Sequence, residues 1–335
     1  MKAKFLAAIL LASLAATLHA QNITGAGATF PNPIYSKWFN EYAKAHPGVQ
    51  INYQSIGSGA GIRQVSQGVV DFGATDGPMT DQQIADSKVK LVHIPTVLGA
   101  VVPVYSIPGL NADLNFSPDV IADIYLGHIT NWHDSRIAKD NPGVNLPDHS
   151  ILPVYRSDGS GTNYIFTDFL SKVSPEFQSR IGKGTSVRWP IGIGQKGNEG
   201  IAGMVRNSPY SFGYVELIYA VKNNMSYGQV KNSSGKFIKA STDSVTAAAA
   251  GAAKNMPADY RVSITNAPGA TAYPISSFTW LLIPLHNSDA AKSQALVNFV
   301  NWMLDIGEKE AASLTYAPLP QPVVDKIRVT IKQIH

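Results

Sequence analysis

Three glycine-rich segments, each joining a strand-like run to a helix-like run, constrain this chain more than any other feature of its sequence. Gly25-Ala26-Gly27-Ala28-Thr29-Phe30 runs into a helical pattern at 31–46, where Ile34, Tyr35, Trp38, Phe39 and Tyr42 recur at three and four. Ile56-Gly57-Ser58-Gly59-Ala60-Gly61 leads into a helix expected over 62–70, and Arg156-Ser157-Asp158-Gly159-Ser160-Gly161-Thr162 leads into one beginning at Asn163. Each segment puts a hydroxyl residue where a helix begins. A helix N-terminus carries unpaired N–H groups and about half a positive charge, which makes it an anion site. Glycine lets the backbone approach a ligand, and Ser or Thr adds a neutral donor. Plain helix capping is the alternative at any one junction. Three junctions in one chain, one beside Arg156, point to a small tetrahedral oxyanion.

Asp76 narrows the choice of anion. It follows the apolar run 69–74, at the strand end where a ligand crevice opens in an α/β sheet. An ionised carboxylate only accepts hydrogen bonds, so it repels a fully ionised anion and accepts from one that keeps a proton. Phosphate keeps a proton near neutral pH, its second pKa being about 6–7, whereas sulfate does not. One acidic residue among donors therefore selects phosphate. The competing assignment is a turn cap before Gly77-Pro78.

Strand-like runs at 50–56, 69–74, 91–97, 101–107, 151–156 and 278–284 alternate with helical patterns, including 290–305, and predict an α/β fold with largely parallel sheets. Polar, turn-rich stretches at 111–118, 140–150 and 232–244 read as loops, and Ala247–Ala250 reads as helix despite Gly251. The chain has 335 residues, 44% hydrophobic and 15% charged, where about 25% charged is ordinary. That is enough apolar residue for a large core and excludes a chain too polar to fold. A net charge of +4 from 27 basic and 23 acidic residues, with no Lys/Arg stripe, excludes a nucleic-acid surface. The absence of cysteine excludes disulfides, thiolate metal sites and a lipidated cysteine together.

The first twenty residues read as a signal peptide. Met1-Lys2-Ala3-Lys4 is positive, residues 5–18 are apolar apart from Ser13 and Thr17, and cleavage is expected after Ala20, with Leu18 a poor fit to the small-residue position. A buried N-terminal helix is the alternative. Loss of Lys2 and Lys4 lowers the net charge to +2. No later run is long and apolar enough to span a bilayer, so the expectation is an exported periplasmic protein without direct membrane insertion.

Enzyme motifs are sparse. Gly192-Ile193-Gly194-Gln195-Lys196-Gly197 matches GxGxxG but lies mid-chain, away from an evident strand–helix–strand unit, and reads as a structural turn. Neither a GxxxxGK[ST] loop nor a GxSxG elbow occurs. His128 and His133 flank Trp132 and read as surface or packing residues rather than a metal pair. No cofactor is expected. A secreted phosphatase or hydrolase on the same scaffold remains the alternative function.

Six segments carry a family resemblance: Ile23–Trp38, Val70–Asp81, Ile121–Trp132, Arg156–Leu170, Val187–Ala202 and Phe212–Glu216. Together they resemble the periplasmic phosphate-binding proteins of high-affinity, phosphate-specific ABC transporters. The resemblance implies a two-lobed periplasmic binding protein fold (type II), each lobe a mostly parallel sheet flanked by helices, joined by a hinge that closes on the ligand. Expected boundaries are 21–96 with 277–335 for lobe I and 97–276 for lobe II. It also implies phosphate contacts from Thr29, Phe30 (backbone N–H), Ser58 and Asp76 on one side. From the other side come Arg156, Ser160, Gly161 (backbone N–H) and Thr162, with Asp158 holding the arginine. The implied partners are inorganic phosphate and an inner-membrane phosphate ABC permease complex, with the receptor a monomer.

Overall fold

The computed structural model describes residues 21–110 and 112–335, so the signal-peptide expectation lies outside the described residues. The chain opens with β1 (Gln21–Gly27), α1 (Asn32–Ala45), β2 (Val49–Ser55), α2 (Ser58–Ser66), β3 (Phe72–Thr75), α3 (Asp81–Ala85) and β4 (Leu91–Ser106). It continues through β5 (Asn115–Phe116), α4 (Pro118–Leu126), α5 (Ser135–Asp140), β6 (Leu152–Arg156), α6 (Gly161–Val173) and α7 (Pro175–Arg180). Then come β7 (Ile193–Gln195), α8 (Gly197–Asn207), β8 (Ser211–Glu216), α9 (Leu217–Lys222), β9 (Ser226–Tyr227), β10 (Gln229–Lys231), β11 (Phe237–Ile238) and α10 (Thr242–Lys254). The chain closes with β12 (Ser276–Pro284), α11 (Ala290–Asp305) and α12 (Gln321–Thr330).

Nine strands form one sheet in the order β2-β1-β3-β12-β4-β8-β6-β7, with β9 beside β4. The sheet has two parallel sets. β1 pairs in parallel with β2 and β3, and β6 pairs in parallel with β7 and β8. β4 joins them, pairing antiparallel with β12 over Leu91–Ala100 and with β8 over Val101–Ser106. The fold is thus α/β with two halves sharing one long strand.

β4 corrects the expectation of two strands at 91–97 and 101–107. One strand runs through both segments and through Gly99 between them. A Cβ there would lie 2.6 Å from Phe30 Cζ, so the missing side chain admits the Phe30 ring rather than a turn. α2 also starts earlier than 62–70, at Ser58, with Gly59 inside it. Glycine costs about 1 kcal/mol in a helix, and here it permits contact with a second backbone: the Gly59 amide donates to Gly159 O at 2.8 Å. The loop expected at 111–118 holds β5, and that at 232–244 holds β11 and the first turn of α10.

α1 shows the usual logic of a core helix. Pro31 and Pro33 suit the first turn, where no N–H partner is required. Ile34, Tyr35, Trp38, Phe39 and Tyr42 are buried, as the three–four spacing predicts. Their rings meet Tyr53, Phe72, Phe299 and Trp302, which seats the start of the helix rigidly beside β1. α11 matches its expected bounds and is started by Asp289, which accepts from Ala291 N at 3.0 Å.

Candidate functional site

The carboxyl ends of the six parallel strands converge where the two halves meet, which is the general ligand position in such sheets. β1 delivers Thr29 and Phe30, β2 delivers Ser58, and β3 delivers Asp76. β6 delivers Arg156 through Thr162, β7 delivers Asn198, and β8 delivers Glu216. All the side chains expected at the site except Asp158 are essentially buried: Thr29, Ser58, Asp76, Arg156, Ser160 and Thr162.

The turn between β1 and α1 is held by three tyrosine hydroxyls on three consecutive carbonyls. Tyr53 donates to Ala28 O at 2.7 Å, Tyr219 to Thr29 O at 2.6 Å and Tyr316 to Phe30 O at 2.6 Å. In a trans peptide the N–H points opposite to the C=O. Fixing Ala28 O and Thr29 O therefore aims the amides of Thr29 and Phe30 the other way. Neither amide donates a hydrogen bond to a partner among the described residues.

Four hydroxyls at the site accept from N–H groups. Thr29 Oγ1 accepts from Asn198 Nδ2 at 2.7 Å and Asn198 N at 3.2 Å. Ser58 Oγ accepts from Gly161 N at 3.0 Å and Asp76 N at 3.2 Å. Ser160 caps α6 by accepting from Asn163 N at 3.0 Å, and Thr162 accepts from Asn198 Nδ2 at 3.1 Å. A hydroxyl has one proton and two lone pairs. Thr29 and Ser58 have both lone pairs occupied, so Thr29 can only donate further, while the one Ser58 proton is directed at Asp76 Oδ2 at 3.5 Å. The Gly161 amide, expected to face a ligand, is engaged by Ser58 in this conformation.

Arg156 and Asp158 supply the charge. Asp158 takes Nε at 2.7 Å and Nη2 at 2.6 Å, which leaves Nη1 buried without a partner among the described residues. Burial opposes the Asp158 charge, but the Arg156 hydrogen bonds and charge outweigh it and hold the carboxyl below its ordinary range. Asp76 is the counterexample. Burial drives its pKa up to about 7, against the opposing pull of a 2.8 Å hydrogen bond from Thr279 Oγ1, the Arg156 charge and Ser58. The arrangement is a ring of donors with one acceptor, which suits a tetrahedral anion that carries a proton.

The halves touch closely around this ring. The first turn of α6 abuts Asp76 and Ser58, so that a Cβ on Gly161 would lie 2.5 Å from Asp76 Oδ2 and Ser58 Oγ. Beside it opens a cavity of about 320 Å³ lined by Thr29, Ser55, Ile56, Asp158, Lys196 and Glu199.

Some site residues were not expected from sequence. Asn198 lies at the start of α8, directly after the GxGxxG match, which is a fourth strand-to-helix junction and not an isolated turn. The signal was present but hidden, because β7 is only three residues long and reads as loop. Thr279, Tyr219 and Tyr316 act from distant segments and had no local signature. His128 pairs with Glu176 at 2.9 Å and His133 with Leu146 O at 3.1 Å, away from the site.

Fold and site together define a solute-binding protein, two α/β halves with a buried recognition site at their junction. A model of the PBP superfamily domain matches residues 14–305. The chain is 43% identical over 332 residues to the phosphate-binding protein PstS of Pasteurella multocida, covering 99% of this chain and 96% of that protein. It belongs to the PBP superfamily and, within it, to the family of the phosphate-binding proteins PstS. PstS of Xylella fastidiosa is also 43% identical, over 91% of this chain and 83% of that protein. A solved high-affinity periplasmic phosphate-binding protein bound with phosphate is 18% identical with a TM-score of 0.72, covering 92% of this chain and 93% of that one, and supports the fold.

Proposed function

We propose that this protein is a non-enzymatic receptor that captures inorganic phosphate between its halves and delivers it to an inner-membrane ABC permease for import. The observation that carries the reading is Arg156 Nη1, a buried cationic donor without a partner among the described residues, set among hydroxyls whose lone pairs are already engaged. A buried donor left unpaired costs about 1–3 kcal/mol, more when charged, so this geometry favours an anion that pairs it. The ligand set is Thr29, the Phe30 amide, Ser58, Asp76, Arg156, Ser160, the Gly161 amide and Thr162, with Asp158 orienting the arginine. Residues 21–96 and 277–335 form one lobe and 97–276 the other, with the crossings in β4 and at the start of β12. Closure on phosphate is the form a permease reads. Export by residues 1–20 places the receptor in the periplasm, where it acts as a monomer. No helix among the described residues is long and apolar enough to cross a membrane.

The test is to purify the protein in phosphate-free buffer, denature it and assay the released phosphate. About one phosphate per chain supports the reading. Stoichiometric sulfate in its place, or turnover of a phosphomonoester abolished by Ser160→Ala, contradicts it.

A further inference from the structure

We propose that Asn198 is a positioning residue that fixes the direction of two ligand-facing hydroxyls, Thr162 within its own half and Thr29 only when the halves are closed. The proposal rests on the phosphate-receptor reading above. Asn198 begins α8 in one half, and its carboxamide and amide make four hydrogen bonds. Its Oδ1 accepts from Glu216 N at 2.9 Å. A backbone N–H can only donate, so this bond fixes which end of the carboxamide is oxygen. Nδ2 is then turned toward two hydroxyl oxygens, Thr162 Oγ1 at 3.1 Å in the same half and Thr29 Oγ1 at 2.7 Å across the junction. The Asn198 backbone amide also reaches Thr29 Oγ1, at 3.2 Å.

The carboxamide is therefore a polarity device. Both of its protons are spent on threonine oxygens, so neither threonine can turn its own proton toward Asn198. Thr29, with two lone pairs filled, can offer a ligand nothing but a donor. Two of those three bonds to the threonines come from the opposite half, so Thr29 is locked as a donor only once the halves meet. The same closure that brings donors to the anion also sets the direction of Thr29. Glu216, whose amide anchors Asn198, stands beside Val101 where β4 changes partners, which ties the device to the joint between the halves.

Asn198→Asp tests the idea with little change of shape. The aspartate still accepts from Glu216 N, but it presents an acceptor to both threonines and draws their protons inward. Calorimetric titration with inorganic phosphate should show affinity lower by on the order of a hundredfold, the scale for losing two hydrogen bonds to a charged ligand. The second readout is a double-mutant cycle with Thr29→Val. With that hydroxyl gone, the Asn198→Asp penalty should shrink to about tenfold or less, because coupled residues are not additive. An Asn198→Asp protein within about threefold of wild type overturns the proposal. So does an equal penalty in both backgrounds, which is what a purely structural role would give. If Asn198→Asp does not fold, Asn198→Ala read in the same two backgrounds decides by the same coupling. A wild-type protein that binds no phosphate defeats the receptor reading itself, a result distinct from normal binding unaffected by Asn198.

Discussion

Arg156 and Asp158 are locked in a two-point fork, Nε to Oδ1 at 2.7 Å and Nη2 to Oδ2 at 2.6 Å, and this leaves one guanidinium nitrogen to face outward from the pair. The planar fork fixes the arginine in a way a lysine ammonium cannot reproduce. Arg156→Lys keeps the charge and loses the geometry, so phosphate affinity should fall at least tenfold. Arg156→Ala should fall further than the loss of any single hydroxyl, because its contact is charge-assisted. Calorimetry on the two variants, ranked against Ser160→Ala, checks the order.

Asp76 predicts a pH-dependent choice of anion. Its folded pKa stands at about 7, above the ordinary 3.8, because burial disfavours the charge. Below that value it carries a proton and can donate to a fully ionised anion; above it, it only accepts. Sulfate should therefore compete with phosphate measurably better at pH 5 than at pH 8. Asp76→Asn should make sulfate competition similar at both.

The same shift has a stability consequence. A carboxyl with a raised folded pKa binds its proton more tightly in the folded state. Its favourable contribution is present below pH 3.8 and is lost as pH rises toward about 7, then stays constant. Glu308, buried and raised to about 8, acts in the same direction. His93, which burial lowers to about 4, acts in the opposite direction over the lower part of that range. The two carboxyls outweigh it, so ligand-free protein should lose stability between about pH 4 and pH 8. Asp76→Asn should flatten part of that slope in urea melts, and an unchanged slope would count against the burial argument.

Tyr219→Phe removes a hydroxyl that touches no ligand group directly. It should nonetheless weaken phosphate binding about fivefold, the cost of one ordinary hydrogen bond of about 1 kcal/mol, because Thr29 O then loses the donor that aims the Phe30 amide. Unchanged affinity would mean that the turn is rigid without its tyrosine.

How much of this was legible depends on distance along the chain. The junctions at Thr29, Ser58 and Arg156–Thr162, which the fold brings together in one buried place, were readable as strand-to-helix turns, because a strand end, glycines and a helix start lie within a few residues. α1 and α11 were readable from periodicity alone. Asn198 was obscured because the three-residue β7 is too short for a pattern, and its role arises only when Thr29 comes within 2.7 Å. Thr279, Tyr219 and Tyr316 reach the site from segments far away in sequence, so their partners depend on the finished fold. The continuity of β4 was hidden for a similar reason, since the Phe30 ring and the Glu216 carboxyl that pack against Gly99 come from segments far away in sequence. The low net charge was misleading in one respect. It excludes a nucleic-acid surface, yet the proposed anion site is built from aimed neutral dipoles and a single arginine, which leave little trace in a charge count.

The most direct measurement is calorimetric titration at pH 8 of protein freed of bound ligand by unfolding and refolding, first with phosphate and then with sulfate. A phosphate receptor of this design should show one tight phosphate site per chain and no detectable sulfate heat at the same concentrations. Equal binding of the two anions, or no phosphate binding, would contradict the proposed function.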